Sequence, residues 1–230
     1  MQFTLRCLVA MSLVLSALVS ANPLTLMVPD FKPFTYYEGG QFKGIGVDEV
    51  REIMEAVGVP YELVLAPNYK RAVQELKTNG VDGIFLASEN DERNQVAEFS
   101  EPVMQNRWSW FLLKDTELFP GNFIFQKNAV IASQKGTNTH KWLLSGDYNV
   151  GIAPVDVAQL PRMLAAKRVD AVFLAERVFL ESCREQGISP DQFVQIVQVD
   201  KPFGIYINKQ FLKSSPDFMK RLNTSILDRQ

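Results

Sequence analysis

The sequence predicts an α/β fold of two similarly built lobes, and three observations carry that prediction. Strand-like and helix-like runs alternate from residue 23 onward in βαβ order. A helix followed by Val-Asp-small-apolar-Phe-Leu-Ala occurs twice, as VDGIFLASE at 81–89 and as VDAVFLAER at 169–177. Buried parallel strands are apolar runs by necessity, so chance produces such matches, but the same placement after a helix favours a duplicated plan. About two hundred residues beyond the N-terminal segment suffice for one large core or two small ones.

The N-terminus, MQFTLRCLVAMSLVLSALVSANP, carries Arg6, an uncharged run from Leu8 to Val19 and then small residues at Val19-Ser20-Ala21. This is the arrangement of an export signal cleaved near Ala21, so residues 1–21 are expected to be removed and the mature chain to begin near Asn22. The run is too short to span a bilayer and has no polar face of the kind a buried helix shows. Cys7 follows Thr-Leu-Arg rather than the small residues of a lipoprotein processing site. The expected product is a soluble exported protein.

Composition then removes several function classes. The chain has 24 Lys+Arg against 26 Asp+Glu, a net charge of −2, and loss of Arg6 makes it −3. Such a balance argues against nucleic acid or an anionic membrane as the main partner. Cys183 alone remains after cleavage, so no internal disulfide can close. His140 is the only histidine, which puts a Cys/His zinc site out of reach, and in KGTNTHKWLL it has the setting of an ordinary helix residue rather than of a base for a nucleophile. No cofactor is implied.

The elements follow in order. PLTLMV (23–28) and YELVLA (61–66) are short strands. Between them VDEVREIMEAVG places Val47, Val50, Ile53, Met54 and Val57 on one helical face and ends at Gly58. NYKRAVQELKTNG repeats the pattern with Ala72, Val73 and Leu76 and stops at Asn79-Gly80. The first Val-Asp strand comes next; later, NAVIAS, YNVGIA, the second Val-Asp strand and FVQIVQV read as strands, with the helix DVAQLPRMLAAKR before the third of them. A closing helix is expected to start with Ser215 as cap and Pro216 at its first position. Ligands of open α/β sheets sit beyond the carboxyl ends of the strands, which here are Ser88 and Glu176.

The segments DFKPFTYYEGGQFKGIGVDEVREIMEAVG and YKRAVQELKTNGVDGIFLASENDERNQVAEFSEPV resemble, in order and spacing, the bacterial extracellular solute-binding proteins of the polar amino acid type, and the resemblance covers essentially the whole mature chain. The same pattern occurs in the ligand-binding cores of ionotropic glutamate receptors. The resemblance implies a two-lobed periplasmic binding protein-like α/β fold with two hinge crossings. Lobe 1 would be residues 22–111 plus 201–230, lobe 2 residues 112–200, and the crossings RWSWFLLK and QVDKPFG. It further implies a small-molecule carboxylate or amino acid as ligand, an inner-membrane permease or sensor as partner for ABC-type uptake or sensing, and a monomer.

Residue by residue, the resemblance puts Arg93 on the ligand's carboxylate, and a guanidinium suits that role because its planar donor fork matches a carboxylate and keeps its charge. Arg93 is flanked by Glu89, Asp91, Glu92 and Glu98, so an exposed ion pair is the alternative reading. Ser88, five residues earlier, would help orient the same group. Phe31 and Tyr69 are aromatic covers for the ligand or plain core. Thr137 and Asn138 stand at a glycine-hydroxyl turn before a helix, although the family frequently has threonine where this chain has Asn138.

In the amino-acid binders of the family that the chain resembles, an acid that accepts the ligand's ammonium commonly follows the second Val-Asp strand, five residues after its Asp. That position is Ala175 here, and the acid comes one later as Glu176. If the chain turns Glu176 into the cleft, the ligand is an amino acid. If it does not, the ligand is a carboxylate without an amine, because an unpaired buried ammonium is costly. A few proteins of this architecture are dehydratases of cyclic carboxylic acids such as prephenate or arogenate, with a glutamate in the cleft. Glu176 keeps that reading open, but no second catalytic group accompanies it.

Overall fold

The computed structural model describes residues 23–230, so the expected export signal lies outside the described residues. The first half opens with β1 (Leu24–Pro29), the small hairpin β2 (Tyr36–Glu38) and β3 (Gln41–Lys43), and helix α1 (Ile45–Val57). It continues through β4 (Tyr61–Ala66), α2 (Tyr69–Lys77), β5 (Gly83–Ser88), the one-turn helix α3 (Asp91–Asn94), β6 (Ala97–Phe99) and the long strand β7 (Met104–Leu113). The second half contains α4 (Phe123–Asn128), β8 (Ile131–Ala132), α5 (Asn138–Ser145), β9 (Val150–Ile152), α6 (Gln159–Ala165), β10 (Ala171–Ala175) and α7 (Glu176–Glu185). The chain then returns along the long strand β11 (Phe193–Asn208) to α8 (Lys209–Ser214) and α9 (Phe218–Leu227). Among the described residues, no helix is long and apolar enough to cross a membrane.

One nine-stranded sheet carries the main path, in the order β4-β1-β5-β11-β7-β10-β8-β9, with β6 also paired to β11. β4, β1 and β5 are parallel, as are β10, β8 and β9, and these two parallel groups are joined only through the antiparallel ribbon of β7 and β11. That ribbon runs from Met104 opposite Phe203 to Leu113 opposite Phe193. The architecture is two-lobed, with two crossing strands.

The duplicated motif explains itself in this frame. β5 pairs with β11 and β10 with β7, so the two Val-Asp strands occupy matching places beside the ribbon. Their aspartates do the same work: Asp82 Oδ2 accepts from Thr25 N at 2.9 Å and Asp170 Oδ2 from Val130 N at 2.8 Å, each holding the entry to the adjacent parallel strand. Both strands are buried on two faces. In β10, Phe173 packs against Trp110, Phe125 and Leu143, while Val172 and Leu174 pack towards Leu160, Val178 and Phe179. A continuous apolar run is the sequence signature of that position.

Helix α1 buries Val47, Val50, Ile53, Met54 and Val57, the face read from its periodicity, and ends at Gly58 in the left-handed conformation. Its start depends on Gly44 at φ 120°, where an added Cβ would collide with the backbone carbonyl of Phe34. The closing helix begins later than expected. Phe218 N bonds to Ser215 O at 3.0 Å, so Ser215 and Pro216 form a turn ahead of α9 rather than its cap and first residue.

Candidate functional site

Arg93 is placed by a cap. Asn90 is extended at the start of α3, and its Oδ1 accepts from Arg93 N at 2.9 Å. Asp91 and Glu92 fill the first turn, where the helix dipole favours acids. Glu89, Asp91 and Glu98 are exposed, and Glu92 bonds to Lys77 and Lys141 at 2.8 Å each. Arg93 itself turns inward and is only 4% exposed.

Its guanidinium meets no carboxylate among the described residues. Nη1 donates to Ser88 O at 2.5 Å, Cζ lies 5.3 Å from the Tyr69 ring centroid and 6.0 Å from that of Tyr206, and Nε is buried without an acceptor. Burial draws the pKa of Arg93 downward, yet a guanidinium keeps its proton in proteins. Tyr69 donates its hydroxyl to Leu86 O at 2.9 Å, and burial raises its pKa, so it faces Arg93 as a neutral ring. A buried cation without an anion is costly, which distinguishes Arg93 from an exposed ion pair.

Arg93 lines a cavity of about 30 Å³ where the two halves cross. Phe31, Tyr69, Ser88, Thr137 and Asn138 line it as well, so most of the residues named from sequence come together. Phe31 is both core and wall: it is 8% exposed and contacts Phe34, Tyr69 and Phe203 at ring separations of 5.7, 5.4 and 6.2 Å. Thr137 caps α5 by accepting from His140 N at 3.3 Å, and its hydroxyl also bonds Gln134 O and Thr139 Oγ1.

Glu176 is the exception. It opens α7 and lines a different cavity with Ile45, Met104, Gln105, Arg107 and Arg177, its Oε2 standing 3.7 Å from Arg107 Nη1. Ala175 takes the place on the Arg93 cavity. The cause is strand parity. In β5, Leu86 has φ 46°, the register against β11 shifts between Gly204 and Tyr206, and Phe85 and Leu86 pack in the same cluster. This bulge turns Ser88 onto the cavity side. β10 pairs with β7 without a shift, so its equivalent, Glu176, faces away.

Sequence reasoning missed Asn106, Trp108, Thr139 and Phe203, which complete the lining. The signal was the alternation in MQNRWSW: Asn106 and Trp108 face the cavity, and Arg107 between them faces the Glu176 cavity, where it also pairs with Asp200 at 3.2 Å.

Three polar contacts bridge the halves around the cavity: Asn90 Nδ2 to Asn138 Oδ1 at 3.0 Å, Lys141 Nζ to Glu92 Oε2 at 2.8 Å and Lys32 Nζ to Glu185 Oε1 at 3.1 Å. The hydrogen bonds from Lys141 and Lys77 pull the pKa of Glu92 from 4.5 to about 2. A depressed carboxylate contributes above its free pKa and loses its contribution as pH falls through the lowered one. Closure is therefore expected to weaken between pH 4.5 and about 2. Small-angle scattering should find Glu92→Gln more open than the parent at pH 7, with the difference vanishing near pH 2; an unchanged difference would show that Glu92 does not hold the halves.

Two α/β halves, a two-strand crossing and a cavity between them define the class of the two-lobed periplasmic binding proteins. Residues 25–229 match the family described as bacterial extracellular solute-binding proteins, family 3, and the chain belongs to that family. A relative named as a probable histidine-binding protein of Campylobacter jejuni is 28% identical over 174 residues, which are 69% of this chain and 66% of the relative, just under two thirds of its length. Among solved structures, a histidine kinase sensor domain with similarity to periplasmic binding proteins superposes with a TM-score of 0.75 at 18% identity over 90% of this chain and 89% of that one. The Gly52Ala mutant of arginine-bound ArgBP from T. maritima gives 0.71 at 21% identity over 92% and 97%. At these identities the superpositions show the fold.

Proposed function

We propose that the protein is a periplasmic solute-binding protein that clamps a small carboxylate of amino-acid size between its lobes, for ABC-type uptake through an inner-membrane permease or for sensing. The observation that carries this reading is Arg93, a buried guanidinium with no carboxylate partner among the described residues and with Nε turned to no acceptor. Family membership and relatives named for histidine and arginine support a ligand of amino-acid size that carries a carboxylate. In this reading residues 1–21 direct export and the mature chain acts as a monomer. Lobe 1 is read as residues 22–111 plus 201–230 and lobe 2 as residues 112–200, with the β7–β11 ribbon as the support for two crossings.

Binding is preferred to catalysis because Glu176, the one glutamate weighed for a dehydratase, lines the cavity on the other side of β7 from Arg93. The test is a thermal-shift screen of the mature protein, freed of copurified ligand, against amino acids, small dicarboxylates and cyclic acids. A ligand at a hundred times its dissociation constant stabilises by about 2.7 kcal/mol, a rise of roughly 5–11 °C for a chain of this size. The same ligand should reduce the radius of gyration through hinge closure. Stabilisation by no carboxylate, or conversion of the ligand to product, would overturn the reading.

A further inference from the structure

We infer that this cavity selects a carboxylate whose neighbouring substituent is an uncharged hydrogen-bond donor, as in a 2-hydroxy acid, and that Asn106 reads that donor. The inference rests on the carboxylate reading of Arg93 and deepens it. Two residues that line the cavity each hold a buried polar atom without a hydrogen bond among the described residues: Arg93 Nε, a donor, and Asn106 Oδ1, an acceptor. Both residues are only 4% exposed. A ligand that satisfies both brings an acceptor to the arginine and a donor to the asparagine.

Charge decides which donor. Among the described residues Arg93 is the only ionised side chain that lines the cavity, and no acid does. The start of α5 adds a second positive pole there through Thr137 and Asn138. Lys201 Nζ lies 5.5 Å from the centroid of the Trp108 ring that walls the cavity. Asp30, Asp156, Glu181 and Glu185 line a separate cavity that shares only Phe31 with this one. A zwitterion would leave the site with its positive charge uncompensated and its ammonium facing an amide. A monoanion with a hydroxyl brings the net charge to zero and satisfies both atoms.

The experiment titrates the mature protein with two matched trios: L-lactate, L-alanine and propionate, and their phenyl-bearing counterparts L-phenyllactate, L-phenylalanine and 3-phenylpropionate. Within at least one trio the hydroxy acid should bind at least tenfold tighter than either companion. Asn106→Leu should erase the advantage over the plain acid, and Asn106→Asp, which supplies the missing anion, should reverse the order in favour of the amino acid. A single cooperative thermal unfolding transition in each variant shows that both fold. An amino acid bound ahead of its hydroxy analogue by the parent, or an order unaffected by Asn106→Asp, overturns this inference while leaving the carboxylate reading intact. Binding of none of the six overturns this inference, while the carboxylate reading falls only if the wider screen finds no stabilising carboxylate.

Discussion

Arg93→Lys is expected to lower affinity for the carboxylate ligand by roughly 30-fold to several thousand-fold, the equivalent of about 2–5 kcal/mol for loss of a buried charged partner. Lysine keeps the charge but loses the planar fork, and its ammonium cannot spread over the faces of Tyr69 and Tyr206 as the guanidinium does. Calorimetry would measure the loss, and Trp108 on the cavity wall offers an emission signal for the same titration. Thermal stability should change far less than affinity. The native charge is already buried without a carboxylate and lysine keeps it, so what the ligand-free fold gives up is chiefly the bond to Ser88 O. Equal affinity in parent and variant would reduce Arg93 to a structural group.

The opposite pattern is expected at Trp110. Its ring is fully buried, with the rings of Phe173, Phe125, Tyr148 and Trp142 at 4.4, 5.2, 5.4 and 6.2 Å, and its Nε1 donates to Gln198 Oε1 at 2.9 Å. Truncating such a residue costs about 3–5 kcal/mol, because the transfer energy of the ring is lost and the rigid neighbours close only part of the cavity. At about 2–4 °C per kcal/mol for a chain of this size, Trp110→Ala should lower the thermal midpoint by roughly 6–20 °C. Val197→Ala, at a 47% exposed position on the neighbouring strand, is the control and should stay within about 0.5 kcal/mol. A midpoint for Trp110→Ala within about 2 °C of the parent would mean that this aromatic cluster does not hold the second half together.

The sequence by itself determined what depends on local chemistry. Hydrophobic period placed the buried face of α1 and its stop at Gly58, since the pattern of a single helix is written in consecutive residues. The repeated Val-Asp run identified two strands with equivalent surroundings, and the order of motifs from Pro33-Phe34 to Ser100-x-Pro102 identified the family and pointed to Arg93 and Ser88. Only the tertiary structure decided what depends on parity and on neighbours distant in sequence. Whether Glu176 or Ala175 meets the cavity turned on strand parity: β10 pairs with β7 without a register shift, whereas a bulge at Leu86 in the other half brings Ser88, the matching residue, to the cavity. Asn106 and Trp108 gained their place because β7 crosses between the halves with alternate side chains on opposite faces, so that a strand noted in sequence only as a connection became a wall of the site. Arg93 itself shows the division: its residue type is local information, but its lack of an acid partner exists only once the fold sends Glu92 to Lys77 and Lys141 and buries the guanidinium against Tyr69 and Tyr206.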